Sequence, residues 1–187
     1  LAGGHGVSAV DIQAADIVFN ASKLSLHSNF EHRIAATGTL SLTKHSQIEI
    51  KDSDTVANPA VMGITLQADT LVMDNTTYLC SASATRFAAA NWRIEAGKVQ
   101  LNGARIFSES LASGQAGDIH LAAGELALAA GARVQSLMRD AGSAGSITAE
   151  ADLIRLANGS TIVSGVPLPS TGYNPDKHQP GAYGDAG

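Results

Sequence analysis

The side chains best suited to chemistry fall into a few groups. His27 and His32 carry two imidazoles five residues apart. A zinc site needs at least a third protein ligand, and none follows at a matching spacing, so the stretch 27–37 reads as a solvated loop. Asp52 and Asp54 have calcium-type oxygens, but their loop, 51–61, lacks the dense Asp/Gly pattern of a calcium loop. No metal is expected. Glu95, Glu125 and Asp152 recur at similar phase and read as a weakly acidic stripe along one side. Cleaving a polysaccharide needs acids clustered on one face, and the remaining acids are scattered singly. There is no nucleophile elbow, P-loop or zinc motif. The expectation is no catalytic residue and no cofactor.

Binding chemistry is more visible. The stretch 165–184, GVPLPSTGYNPDKHQPGAYG, holds Pro167, Pro169, Pro175 and Pro180, which bar it from strand pairing. It reads as an extended corner loop. Its Tyr173, Asp176, Lys177, His178 and Tyr183 make an aromatic and polar mix suited to gripping a sugar or a protein. The bland reading is a decoration loop, or one packed on the next rung. Trp92 either covers a corner or offers a sugar-stacking face. Three Asn-x-Ser/Thr sequons begin at Asn20, Asn75 and Asn158. Asn and Ser/Thr are also ordinary corner residues. Cys80 is the single cysteine, so no internal disulfide can form.

Elements that could position these groups show up as a repeat. SGQAGDIHLAAGELALAAGARVQS (113–136) lies over SAGSITAEADLIRLANGSTIVS (143–164). The offset is about 28 residues, a period of solenoid size. Gly117–Asp118–Ile119 meets Gly145–Ser146–Ile147, and Gly131 meets Gly159. Within each unit apolar residues alternate, as in Ile119/Leu121 and Leu126/Leu128, which is the period of strands. Gly, Ala, Asn and Asp separate them, as tight corners require. Carrying the phase backwards puts rung openings at 12, 40, 64, 94, 119 and 147. The gaps between openings vary from about 24 to about 30 residues, as corner loops of a solenoid can. The predicted fold is all-β: a parallel β-helix, a solenoid of about six rungs of three short strands.

Two stack columns are expected. Glycine recurs before the third strand at Gly103, Gly131 and Gly159, which implies a corner with positive φ. The third strand ends on Ser28, Cys80, Ser108, Ser136 and Ser164, small residues suited to a narrow interior, and Cys80 reads as one buried member of that column.

Composition sets bounds. The 187 residues make one elongated domain, 1–187. Aromatics are 4% and charged residues 16%, which points to small β-type side chains and a thin core. The net charge of −5 and the absence of a Lys/Arg cluster argue against nucleic acid. No apolar run reaches spanning length, so membrane insertion is not expected. The chain opens on Leu1, and its last four residues, Gly184–Asp185–Ala186–Gly187, copy the turn Gly114–Gln115–Ala116–Gly117. That reads as a segment of a longer repeat protein with no complete caps.

The phrase Gly-x-Ala-Gly-x-Ile followed by alternating leucines, at 114–136 and again at 142–164, resembles the filamentous haemagglutinin-like repeats of bacterial two-partner secreted exoproteins. The resemblance covers 92–164 best and 6–90 in degraded form. It implies a right-handed β-helix, secretion through an outer-membrane partner transporter, and residence at the bacterial surface. Asn58–Pro59 followed by Gly63–Ile64 echoes the Asn-Pro motifs of that family's secretion domain, and reads here as a corner loop. Family members serve as adhesins, toxin stalks or haemolysins. The leading expectation is a non-catalytic shaft segment of an adhesin, binding host or cell-surface glycan or protein through corner loops. The alternatives are a polysaccharide-processing β-helix and a filament that self-associates end to end.

Overall fold

The computed structural model describes residues 9–51 and 62–165. Among them are strands and corners and no helix. The chain winds through six levels. The first holds β1 (Asp11–Ala14), β2 (Ile17–Asn20) and β3 (Lys23–His27). The second holds β4 (His32–Ala36), β5 (Thr39–Thr43) and β6 (Gln47–Lys51). Then come β7 (Gly63–Met73) with β8 (Tyr78–Ser83), and β9 (Asn91–Asn102) with β10 (Arg105–Ser110). The last two levels are β11 (Ile119–Ala129) with β12 (Arg133–Met138), and β13 (Ile147–Leu156) with β14 (Thr161–Gly165).

Every pairing is parallel and runs to the level above or below. One sheet follows β1-β4-β7-β9-β11-β13, joined by β2 and β5; the other follows β3-β6-β8-β10-β12-β14. This is a parallel β-solenoid. At about 4.8 Å per level, five steps span roughly 24 Å of shaft.

Three strands per rung hold only for the first two levels. From β7 onward the first two segments fuse into one long bent strand. The ladder skips one position there: Ala68 pairs Ala96, then Thr70 pairs Lys98; Ala96 pairs Ala123, then Lys98 pairs Glu125. Asp69, Gly97, Gly124 and Asp152 occupy the skipped position, and a Cβ at Gly97 would sit 2.9 Å from the Asp69 carbonyl. Just before the bend Ala14 pairs Ala36, and Ala68, Ala96, Ala123 and Ala151 pair in succession. Alanine on every level lets the strand turn without losing its ladder on either side.

The interior is built of like-on-like columns. Leu42, Met73, Leu101 and Leu128 stack on one face, and Ile48, Leu79, Ile106 and Val134 on another, each 1% exposed or less. Burying each such side chain stabilises the fold by about 1.5–3 kcal/mol.

The repeat offset places Ile119 on Ile147 and Leu126 on Ile154. The earlier levels are out of the expected phase. Ile34, not Leu40, lies between Ile12 and Leu66; Leu40 belongs to the second face, on Leu71. Ile94 stacks on Leu121, and the level below Ile119 is Trp92. Trp92 stands between Ile64 and Ile119 there, with His32 below Ile64, and these two rings hide the phase from an aliphatic pattern.

Two kinds of glycine corner recur. Gly103, Gly131 and Gly159 have φ of 68°, 75° and 75°. That left-handed region costs other residues about 1–2 kcal/mol. Gly114, Gly117, Gly142 and Gly145 are needed for space. A Cβ on Gly117 would lie 2.1 Å from the Ala90 carbonyl, and one on Gly145 would lie 2.5 Å from that of Gly117. These glycines let the third corner stack on itself, backbone against backbone.

Gly117→Ala should therefore destabilise the chain by about 3 kcal/mol or more, at the upper end for single substitutions. A Cβ on Gly131 would meet nothing within 4 Å. Gly131→Ala should accordingly cost only the φ penalty of about 1–2 kcal/mol. Denaturant unfolding of the two variants measures the difference.

Candidate functional site

The polar residues that the fold concentrates are inside, at the third corner. Ser81, Ser108, Ser136 and Ser164 stack in register on β8, β10, β12 and β14. The first three are fully buried. Ser81 Oγ accepts from Trp92 Nε1 (3.1 Å), donates to the Ala90 carbonyl (2.8 Å) and lies 2.9 Å from Ser108 Oγ. Ser108 Oγ accepts from Gly117 N–H at 2.7 Å. Ser136 Oγ accepts from Gly145 N–H (2.9 Å) and donates to the Gly117 carbonyl (3.1 Å). Ser164 Oγ donates to the Gly145 carbonyl at 2.6 Å. The hydroxyls thus satisfy backbone of the third corners: Ser81, Ser108 and Ser136 reach the corner that enters the next level, and Ser136 and Ser164 the corner that enters their own. Ser83 and Ser110 do the same one step along the strand, donating to the Phe87 carbonyl (2.8 Å) and the Gly114 carbonyl (2.7 Å).

Two members of the expected column are displaced. Ser81, not Cys80, is the residue in register with Ser108, and below it the column turns aliphatic at Ile50 and Leu26. Ser28 lies past the end of β3. The phase of β8 is set by Tyr78 over Arg105, one residue off the repeat step. Cys80 therefore faces the outer side of its sheet, beside Glu49 and Phe107. Burial pushes its thiol well above the usual range, with Glu109 and Glu49 adding to the shift. It is a poor nucleophile there.

Trp92 is 1% exposed, with its indole N–H bonded to Ser81. It cannot stack on a sugar, because its inward position on β9 puts the ring in the core. Tyr173, Asp176, Lys177, His178 and Tyr183 lie outside the described residues, as do Asp52, Asp54 and Asn58–Pro59.

His32 is not on a solvated loop. It is 3% exposed on β4, with Nδ1 accepting from Val10 N–H (3.1 Å) and Nε2 donating to the His27 carbonyl (2.8 Å). Both ring nitrogens are engaged, which leaves none for a metal. Among the described residues no group of three or more His, Cys, Asp or Glu is placed to hold a metal ion. Asn20, Asn75 and Asn158 are all exposed at the second corner.

No acidic stripe forms either. Glu95 lies in the outer column with Gln67, and Glu125 in a different one with Lys98, while Asp152 sits at the bend. Several outer charges are tied locally. Arg33 donates to Gln67 (2.7 Å) and Gln67 to Glu95 (2.7 Å), whose other oxygen meets Arg93 at 2.5 Å. Glu125 meets Lys98 at 3.2 Å, and Lys23 meets Glu49 at 2.8 Å. Glu109, 5% exposed, takes a two-pronged contact from Arg139 (2.7 and 3.1 Å). An open depression of about 480 Å³ lies over the first three levels, lined by Gln13, Arg33, Gln67 and several alanines.

Two carboxylates are held below their ordinary values. The Gln67 amide and then Arg93 lower Glu95. Burial pushes Asp74 up, but the Lys44 and Thr76 amides and the Thr76 hydroxyl together outweigh it. In comparisons with known proteins, no family model, no curated protein and no solved structure matches the chain. No helix among the described residues is long and apolar enough to cross a membrane.

Removing the Ser108 hydroxyl strands the Gly117 amide. Ser108→Ala should cost about 1–3 kcal/mol, while Ser25→Ala on the exposed outer side should stay within about 0.5 kcal/mol; urea titrations separate the two. The carboxylates fix an acid limb. Their ordinary values are 3.8 for Asp74 and 4.5 for Glu95, and both are lowered in the folded chain. A lowered folded pKa gives stability that is complete above the ordinary value and is lost as pH falls toward the folded one. Asp74→Asn with Glu95→Gln should flatten that limb in a melting series below pH 5.

Proposed function

We propose that the chain is a non-catalytic shaft segment of a secreted, surface-associated adhesin of the filamentous haemagglutinin-like kind, exported through an outer-membrane partner transporter. The observation that carries this reading is where the polar groups go. Arg33, Gln67, Glu95 and Arg93 join the second, third and fourth levels in one chain of contacts, and Lys98, Glu125 and Arg155 join the fourth, fifth and sixth. The buried serines tie corners to strands. A surface whose charges bind the next level serves length and rigidity. The repeated Gly-x-Ala-Gly-x-Ile phrase supports the family assignment.

Recognition in this reading belongs to corner loops, with 165–184 carrying the aromatic and charged residues Tyr173, Asp176, Lys177, His178 and Tyr183. The full chain should bind a subset of cell-surface glycans or proteins on an array, and deletion of 168–182 should abolish binding while the β-type circular dichroism spectrum is kept. Release of reducing sugar from uronic-acid polymers, abolished by a single acid substitution, would overturn the shaft reading in favour of a polysaccharide-processing enzyme.

A further inference from the structure

An outer column of the first sheet loses its long side chains at one level. Gln13, Ala35 and Gln67 lie one above another there, so the methyl of Ala35 sits between two glutamines. The glutamines are two ladder steps, about 9.6 Å, apart. The slot between them is the open depression of about 480 Å³, which Arg33, Thr37 and three further alanines also line. That size, with an apolar floor and a few polar groups, is that of a small-molecule site. Arg33 is held in place beside it. Its Nε and Nη2 donate to Gln67 Oε1 (3.0 and 2.7 Å), Gln67 Nε2 donates to Glu95 (2.7 Å), and Arg93 grips the other oxygen of Glu95. These contacts use one edge of the guanidinium. Its Nη1–Nη2 edge has no partner among the described residues. Asp11 is its neighbour on the ladder, but both Asp11 oxygens accept from Gln13 Nε2 instead (3.2 and 3.0 Å), and Asp11 does not line the depression. Thr37 is exposed, and no described residue takes up its hydroxyl or the Gln13 amide oxygen.

We propose that this depression is a subsite for a carboxylate-bearing sugar ring, one residue of an acidic glycan. The open fork of Arg33 matches a carboxylate, which a guanidinium binds through two parallel hydrogen bonds. The alanine methyls meet the C–H face of the ring. The Thr37 hydroxyl and the Gln13 amide oxygen stand at the rim for ring hydroxyls. An inorganic anion would fill the fork and leave the apolar floor bare, and a neutral sugar would cover the floor and leave the fork empty. Because Gln67 and Glu95 already order Arg33, binding loses less side-chain freedom there. The site goes beyond the shaft reading. It lies on the flank of the stack and does not involve 165–184. Arg33, Ala35 and Gln67, which define it, belong to the second and third levels.

Calorimetric titration of the full 187-residue chain with a galacturonic-acid trisaccharide tests this, with a neutral glucose trisaccharide and acetate as controls. The acidic sugar should bind saturably, and both controls about tenfold more weakly or worse. Arg33→Gln should weaken binding of the acidic sugar by about tenfold or more, through loss of charge-assisted hydrogen bonds. Ala35→Leu fills the slot from an outward position and should weaken binding too. Both variants should keep the β-type circular dichroism spectrum, and the chain lacking 168–182 should bind the acidic sugar as the full chain does. No binding of the acidic sugar overturns the proposal, as does equal binding of the neutral sugar or of acetate, or affinity that survives Arg33→Gln. Binding lost on deleting 168–182 overturns the flank site and leaves recognition by the corner loop standing. Should Ala35→Leu fail to fold, Arg33→Gln still decides, since that side chain is exposed.

Discussion

Each level of this molecule satisfies its backbone through the levels above and below it. A hydrogen-bonded strand that winds back over itself brings residues about one coil apart to roughly 4.8 Å, and in a parallel ladder they meet side by side on the same face. The interior must then be a set of columns in which every side chain tolerates its own kind as neighbour. Leucines over leucines, alanines over alanines and serines over serines all follow from that one geometric demand. The corners follow as well: where one backbone must rest on another, only glycine fits, as at Gly117 and Gly145.

The same demand explains how the polar groups are used. A corner turning into a new level leaves amides and carbonyls buried, and an unpaired buried group costs about 1–3 kcal/mol. The serine column supplies those partners from the strand opposite. On the outer faces, ladder spacing brings long charged side chains of adjacent levels within reach, so Lys98 finds Glu125 and Lys23 finds Glu49. Exposed pairs of this sort are individually weak; the more buried Glu109–Arg139 pair is tied by two hydrogen bonds.

How much of this could be read from residues alone depended on repetition. Residues 113–164 show the fold, the repeat step and the register of Ile119 on Ile147, because two nearly identical units lie side by side. The positive φ at Gly103, Gly131 and Gly159 agrees with the recurring corner. Earlier levels were less legible because corner lengths vary and a one- or two-residue slip moves a side chain to a new column or to the other face. A one-residue slip puts Cys80 where Ser81 stands, and a two-residue slip puts Ile94 in the place of Trp92 under Ile119, which leaves Trp92 outside the column and reading as a corner cover or a sugar-stacking face. The buried His32 carried no signal either, since its partners are backbone atoms of Val10 and His27. The bend that merges two strands was visible only as a run of alanines, whose meaning depends on their stacking.

The central claim is that distance along the shaft counts levels, not residues. Thr148, His120, Arg93, Thr65, Arg33 and Asp11 form one outer column, one residue per level. Spin labels placed in pairs on this column, with Cys80 replaced by serine, measure it directly by electron–electron dipolar coupling. Label separations from Thr148 should grow evenly, by about 4.8 Å per level, reaching roughly 24 Å at Asp11 despite the uneven sequence gaps. Separations that track the number of intervening residues, or that fail to rise in equal steps, would contradict the stacked-coil account.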